Sequence, residues 1–288
     1  MIKVSVIITT HNRLELLKRA VESVMNQTYK NLEVIVVDDH STDGTVEWCL
    51  NNRITLLQSV SKGGNAARNL GIKYASGKYV AFLDDDDYWF ENKIEKQISY
   101  VLSSGCDVVY CGLKKETIID GEITYENIYP KESNQGDVSR KILQEIFTVT
   151  SALMVRRDLL LNVGMFNEKL DFWQEYELCI RLAQESTFKA VDEILVGYFV
   201  NKSDKNRLTN KYKKWKKSVR TIHSVHKNLY SRLSILERIL AKRVEIWDAI
   251  DRSENAGLIM YERINRCRLK FSFIKEKICV ILSRFGFV

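Results

Sequence analysis

Three largely apolar runs each break off into polar residues, and this repeated ending constrains the chain more than any other feature. Residues 4–9 lead into Thr10-His11-Asn12, residues 32–37 into Asp38-Asp39, and residues 79–83 into Asp84-Asp85-Asp86-Asp87. Runs that are apolar at nearly every position read as strands buried on both faces of a parallel sheet. After the first run, Leu14, Leu17, Ala20, Val21 and Val24 recur at helical spacing. The alternation predicts an α/β domain, a mostly parallel Rossmann-like sheet with helices on both faces. Such sheets bind polar ligands beyond the carboxyl ends of their strands. The three polar endings are therefore expected to meet in one site.

Further strands are expected at 54–57, 107–110, 151–155, 188–191 and 195–200, with a hairpin over 114–125 around Asp120-Gly121. Helices are expected over 65–75, 94–101 and 176–183. Ser41 or Thr42 reads as a helix cap with Asp43 in the first turn, so turn and capping chemistry accounts for those three residues. One aspartate suffices for that turn, which leaves Asp39 for a hydrogen bond to a ligand.

From about Arg207 onward helical patterns dominate, and the chain divides into an α/β domain at 1–206 and a basic helical extension at 207–288. Residues 1–200 carry 22 Lys+Arg against 29 Asp+Glu, and residues 201–288 carry 22 against 8. The overall charge of +7 thus hides an acidic domain joined to a strongly basic tail. A basic tail implies a polyanionic partner, anionic lipid or nucleic acid. Residues 269–288 mix Phe271, Phe273, Ile274, Ile278, Val280, Ile281, Leu282 and Phe285 with Lys and Arg. That mixture favours an amphipathic helix on an anionic membrane over a nucleic-acid contact; the competing reading is a helix packing its apolar face on the protein. The scattered cysteines, Cys49, Cys106, Cys111, Cys179, Cys267 and Cys279, form no CxxC pair. With no signal peptide and no bilayer-length apolar run, they point to a cytoplasmic protein, peripheral on the inner membrane face.

Consecutive aspartates at a strand end raise one another's pKa unless a cation offsets them. Hard divalent ions take carboxylate oxygens, and Mg²⁺ completes its shell with phosphate oxygens. Residues 62–69 open a helix with Gly63-Gly64 but lack the P-loop and GxGxxG spacings, so Arg68 is open to a phosphate contact or to a surface salt bridge. His223 and His226 lie three apart on a helix without partner carboxylates, which favours a solvated face over a metal site.

Taken together these segments resemble the family-2 glycosyltransferases, inverting enzymes of the GT-A fold. Residues 4–13 (VSVIITTHNR) are similar to that family's opening strand and nucleotide loop, and residues 36–45 (VVDDHSTDGT) to its base-binding segment. Residues 64–71 (GNAARNLG) and 77–89 (GKYVAFLDDDDYW) resemble the next two blocks, the second with the DxD motif, and residues 166–182 (FNEKLDFWQEYELCIRL) the block with the catalytic base. The resemblance implies a UDP-sugar or related donor lined by Thr9, His11, Arg13 and Asp39, with Arg68 at the diphosphate or ribose. It implies that Asp84 contacts the ribose, Asp85 lies between, and Asp86 holds Mn²⁺ or Mg²⁺. Asp87 and Gln174 would serve the acceptor or the metal's surroundings, and Glu175 would be the general base.

Two departures stand out. The family usually has Glu-Asp or Gln-Asp where this chain has Gln174-Glu175, and the extra methylene shifts the carboxylate by about one bond, enough to affect proton-transfer geometry. The Gln-x-x-Arg-Trp motif of processive synthases is absent, which implies single sugar additions to a glycan or lipid-linked saccharide. Three rival readings are a sugar nucleotidyltransferase, a lipid- or nucleic-acid-binding module, and a degenerate transferase that binds a nucleotide-sugar without turnover. The first lacks its Gly-rich loop after the opening strand, and the second leaves the acidic strand ends unexplained. The third rests on Glu175.

Overall fold

The computed structural model describes residues 1–201, 212–255 and 257–284. In chain order the elements are β1 (Val4–Thr10), α1 (Leu14–Met25), β2 (Leu32–Asp38), α2 (Thr45–Asn51), β3 (Thr55–Gln58), α3 (Gly64–Tyr74), β4 (Tyr79–Asp84) and β5 (Tyr88–Trp89). Next come α4 (Lys93–Ser104), β6 (Val108–Ile119), β7 (Glu122–Ile128), β8 (Met154–Arg156), α5 (Arg157–Asn162), α6 (Gln174–Glu185) and β9 (Phe188–Asn201). The C-terminal helices are α7 (Tyr212–Val225), α8 (Lys227–Ser231), α9 (Ile235–Asn255) and α10 (Ile259–Arg284).

The chain forms two units, each taken by itself. The first comprises Met1–Val138, Phe147–Glu168 and Gln174–Asn201, and the second Ser139–Ile146, Lys169–Trp173 and Lys202–Val288. The expected boundary at 206/207 lies outside the described residues, and two short upstream segments group with the C-terminal unit.

In the first unit one mixed sheet runs β3-β2-β1-β4-β8-β6-β9-β5, with β7 paired to β6. Strands β3, β2, β1 and β4 are parallel, and their register brings Thr10 beside Asp38 and Thr9 beside Asp84. The polar strand endings therefore share one edge of the sheet. Beneath it lies a core of apolar strand residues such as Val6, Ile8, Val36 and Leu83, buried with Leu17 and Val21 of α1. Glu33 of β2 accepts hydrogen bonds from Ser5 of β1 and from Ser76 just before β4, tying the three strands at their opposite ends.

Several elements differ from expectation. The two strands expected at 188–191 and 195–200 are one strand, because a bulge carries β9 through Asp192-Glu193: Cys111 pairs with Val191 and Gly112 with Ile194. Gly112 suits that bulge, since a Cβ there would lie 2.8 Å from the Glu193 carbonyl oxygen. Segments 107–110 and 114–119 likewise merge into β6. The cap assigned to Ser41 or Thr42 belongs to Gly44, with α2 starting at Thr45. The capping chemistry itself is present: Asp43 accepts from the Thr45 amide and hydroxyl and from the Leu14 amide, so it serves the starts of α2 and α1 together.

In the second unit α10 packs on α9 through Asn265, Leu269, Ser272 and Cys279, a stripe at alternating four- and three-residue spacing. Ile246 and Ile250 of α9 meet Leu269, and Arg243 bonds Ser272 and Glu276. The large apolar residues of α10 face elsewhere: Phe271 is 64% exposed, Ile274 53% and Ile278 50%. Phe285 lies outside the described residues. No helix among the described residues is long and apolar enough to cross a membrane. All six cysteines are free.

Candidate active site

The four aspartates occupy four different environments. Asp84 ends β4, and its Oδ1 accepts a hydrogen bond from Arg68 Nη2 at 2.5 Å. Asp85 is buried; its Oδ2 accepts from the Thr10 hydroxyl at 2.8 Å and its Oδ1 from Arg13 Nη1 at 3.2 Å. The same Arg13 nitrogen is 3.1 Å from Asp86 Oδ2. Asp87 is buried under the turn, accepting from Ser151 Oγ at 2.5 Å and from the Phe199 amide at 2.9 Å.

The electrostatics follow from that crowding. Burial pushes the Asp85 carboxyl up to about 6; Arg13 opposes the shift, while Asp86 and Asp84 add to it. Burial also holds Asp87 well above the usual carboxylate range, helped by Asp86 and Asp84 and opposed by its two hydrogen bonds. Arg68 is buried in α3, which costs its charge hydration, yet Asp84, Glu175 and Asp85 together raise its pKa. Glu175 is thereby placed within electrostatic reach of Arg68. Gln174 is in direct contact, its Oε1 3.1 Å from Arg68 Nη1. Both residues open α6, more than a hundred positions along the chain from Arg68.

On the β1–β2 side, Asp39 Oδ2 accepts from the Gly63 amide at 2.8 Å, which fixes the approach to α3. His11 Nδ1 lies 2.5 Å from the Asp39 carbonyl oxygen. Asn12, with a positive φ of 53°, accepts from the Thr42 amide, so the loops after β1 and β2 brace each other. Thr9 borders Asp84 through the strand register.

Among the described residues no group of three or more His, Cys, Asp or Glu side chains is arranged to hold a metal. The donor set nevertheless fits an ion that takes one or two carboxylates and completes its shell from a diphosphate. The side chains of Asp84 and Asp86 are 31% and 27% exposed, against 7% for Asp85. The Arg13 guanidinium stands as a positive charge between Asp85 and Asp86, where the acids require one.

Four participants were not singled out from sequence. Thr10 holds Asp85, and Asn65 Oδ1 approaches Arg68 at 3.5 Å. Ser151 accepts from the Asp84 amide while donating to Asp87, so it aligns both ends of the turn. Arg19 donates to the Asp86 carbonyl and sits 5.3 Å from the Tyr88 and Phe199 ring centres. Thr10 belongs to a polar ending that the sequence does reveal; Ser151 and Arg19 carry no local signal.

This is the architecture of a nucleotide-diphospho-sugar transferase of GT-A type. The profile of Glycosyl transferase family 2 matches residues 5–164, more than half of the chain, and the protein belongs to that family. The matched span contains the aspartate run and ends before Glu175. An uncharacterized glycosyltransferase of Rickettsia bellii is 40% identical over 146 residues, 49% of this chain and 21% of the relative. The chain thus spans about a fifth of that relative, and 62% of another from Rickettsia prowazekii. WfgD of Escherichia coli, a UDP-Glc:α-D-GlcNAc-diphosphoundecaprenol β-1,3-glucosyltransferase, is 30% identical over 74% of this chain and 83% of its own length. Among solved structures, S. aureus TarS 1-349 in complex with UDP aligns with 99% of this chain and 92% of its own, at a TM-score of 0.58 and 18% identity. The mannosyltransferase PcManGT of Pyrobaculum calidifontis, in complex with GDP-Man and Mn²⁺, aligns with 96% of this chain and 86% of its own, at 0.62 and 16%.

Proposed function

We propose that the protein is a metal-dependent, inverting transferase that moves a sugar from a nucleotide-sugar, a UDP-sugar by preference, to a hydroxyl of a lipid-linked saccharide or other glycan. The observation that carries this reading is the convergence on Arg68 of Asp84 from the end of β4 and Gln174-Glu175 from the start of α6. One guanidinium thereby joins the segment assigned to the donor with the segment assigned to proton transfer.

Thr9, His11, Arg13 and Asp39 line the nucleotide side, with Asp84 at the ribose and Arg68 at the diphosphate or ribose. Asp86, with Asp85 behind it, is the residue to hold Mn²⁺ or Mg²⁺, which when bound would offset negative charge on the leaving diphosphate. Glu175 accepts the proton of the acceptor hydroxyl as that oxygen attacks the anomeric carbon. The bond from that carbon to the diphosphate oxygen breaks, the nucleoside diphosphate leaves with the electron pair, and the anomeric configuration inverts. Gln174 keeps Arg68 in place, and Asp87 shapes the turn through Ser151 and the Phe199 amide. The activity of WfgD supports the UDP-sugar donor and lipid-linked acceptor, and the PcManGT complex supports the metal. The membrane part of the reading places the enzyme on the cytoplasmic leaflet through residues 269–288.

The test is a thermal-shift panel of UDP- and GDP-sugars with and without Mn²⁺ or Mg²⁺. Stabilisation by one UDP-sugar only in the presence of metal is expected. Equal response with and without metal, or none to any nucleotide-sugar, overturns the donor assignment. Metal-dependent binding without transfer to any acceptor selects the degenerate alternative, which the Glu175 replacement motivates.

A further inference from the structure

Helices α9 and α10 enclose a groove of about 1080 Å³, at the upper end of the size range of ligand pockets. Ile239 from α9 and Phe271, Ile278 and Leu282 from α10 are among its apolar walls. Arg238, Lys242, Arg268 and Lys275 also line it, and among the described residues no acidic one does. An apolar trough with cations of one sign suits an amphiphile with an anionic head.

The neighbouring surface continues this pattern. Lys242 and Arg268 also line an adjoining pocket of about 400 Å³, to which Lys216 and Arg220 contribute. The acid in that pocket, Glu245, is already engaged by His223 and Lys242. Ile246, Ser272 and Cys279 line the groove and also belong to the contact between the two helices, whereas Phe271 and Ile278 of the same groove are at least half exposed. A helix that keeps its larger apolar residues off its packing face leaves them for another medium.

We propose that the α9–α10 groove seats the acyl chain of an anionic membrane phospholipid, with the phosphate held by Arg268 and Lys275. This deepens the membrane contact proposed above and rests on it. It is independent of the donor chemistry, because it is measured without a nucleotide-sugar.

The experiment is co-sedimentation of the full chain with vesicles of phosphatidylcholine alone or with 30% phosphatidylglycerol, at low and raised salt. Wild type is expected on the anionic vesicles only, released as salt rises. Arg268→Glu/Lys275→Glu should lower partitioning by about tenfold or more. Phe271→Ser/Ile278→Ser, at positions at least half exposed, should lower it comparably while leaving thermal unfolding unchanged. Equal binding to neutral vesicles overturns the proposal. So does loss in the charge variant alone, which reports surface attraction without a seated chain. A concentration-dependent dimer abolished by Phe271→Ser/Ile278→Ser, with vesicle binding unchanged, assigns the groove to a second copy and also overturns it. Tighter binding to phosphatidylcholine vesicles carrying a polyprenyl phosphate than to the phosphatidylglycerol vesicles assigns the groove to that lipid and overturns the proposal.

Discussion

Arg68 Nη2 lies 2.5 Å from Asp84 Oδ1, while Nη1 of the same guanidinium lies 3.1 Å from Gln174 Oε1. A planar fork can span two partners in fixed directions, whereas a lysine ammonium supplies the charge without the fork. Arg68→Lys is therefore expected to keep the fold and to weaken UDP-sugar binding about tenfold, read by calorimetry. Arg68→Ala leaves Asp84 without its partner and should lower stability by about 2–3 kcal/mol. Unchanged donor affinity in Arg68→Lys would remove Arg68 from the site.

Asp86→Asn separates metal from nucleotide. Its carboxylate is partly exposed beside buried Asp85 and Asp87, so the amide should be tolerated by the fold. Stabilisation by a UDP-sugar with Mn²⁺ should fall to the level seen in EDTA, and transfer should be lost. A persistent metal-dependent shift would assign the ion elsewhere.

Lys93 gives a pH test of the core. It is buried in α4, with its ammonium 2.9 Å from Gln97 Oε1 and 3.9 Å from the centre of the Trp89 ring. Burial pushes it down from 10.5 to about 8. Between those values the folded state holds fewer protons than the unfolded state, so stability rises with pH; below about 8 the full cost of the buried charge is present. Lys93→Met should accordingly raise Tm most at pH 7, by an amount equivalent to about 3 kcal/mol, and the gain should shrink towards pH 10. A gain independent of pH would contradict this.

The parts of the site legible in the sequence are those written in consecutive residues. Thr9, Asp39 and Asp84 could be placed at strand ends because period and composition change abruptly after residues 9, 37 and 83. What holds them was not legible. Asp87 accepts from Ser151 across 64 positions and from the Phe199 amide across 112, contacts set by how β4, the segment before β8, and β9 meet. Local pattern carries no information on such pairings. The same limit split β9 in two, since the polar bulge at Asp192-Glu193 reads as a break in the strand. The outward-facing apolar residues of α10 show the converse: the sequence revealed an amphipathic composition, and the structure showed that the packing stripe is Asn265, Leu269, Ser272 and Cys279.

Gly197 tests the far edge of the sheet. A Cβ at this position would lie 2.1 Å from the Tyr88 ring, whose hydroxyl donates to Glu116 at 2.8 Å. Gly197→Ala must displace Tyr88 and with it the aromatic cover on Arg19. A loss of about 2 kcal/mol is expected from chemical denaturation. Wild-type stability would show that Tyr88 is not held where the structure places it.

Glu175 carries the central claim, since it distinguishes a working transferase from a protein that only binds its donor. The direct measurement is single-turnover transfer of labelled sugar to a lipid-linked acceptor by wild type and Glu175→Gln, with donor affinity determined on the same samples. The predicted result is turnover in wild type, loss of about a thousandfold or more in Glu175→Gln, and donor affinity within about twofold. Transfer at the wild-type rate by Glu175→Gln would contradict the assignment of the base.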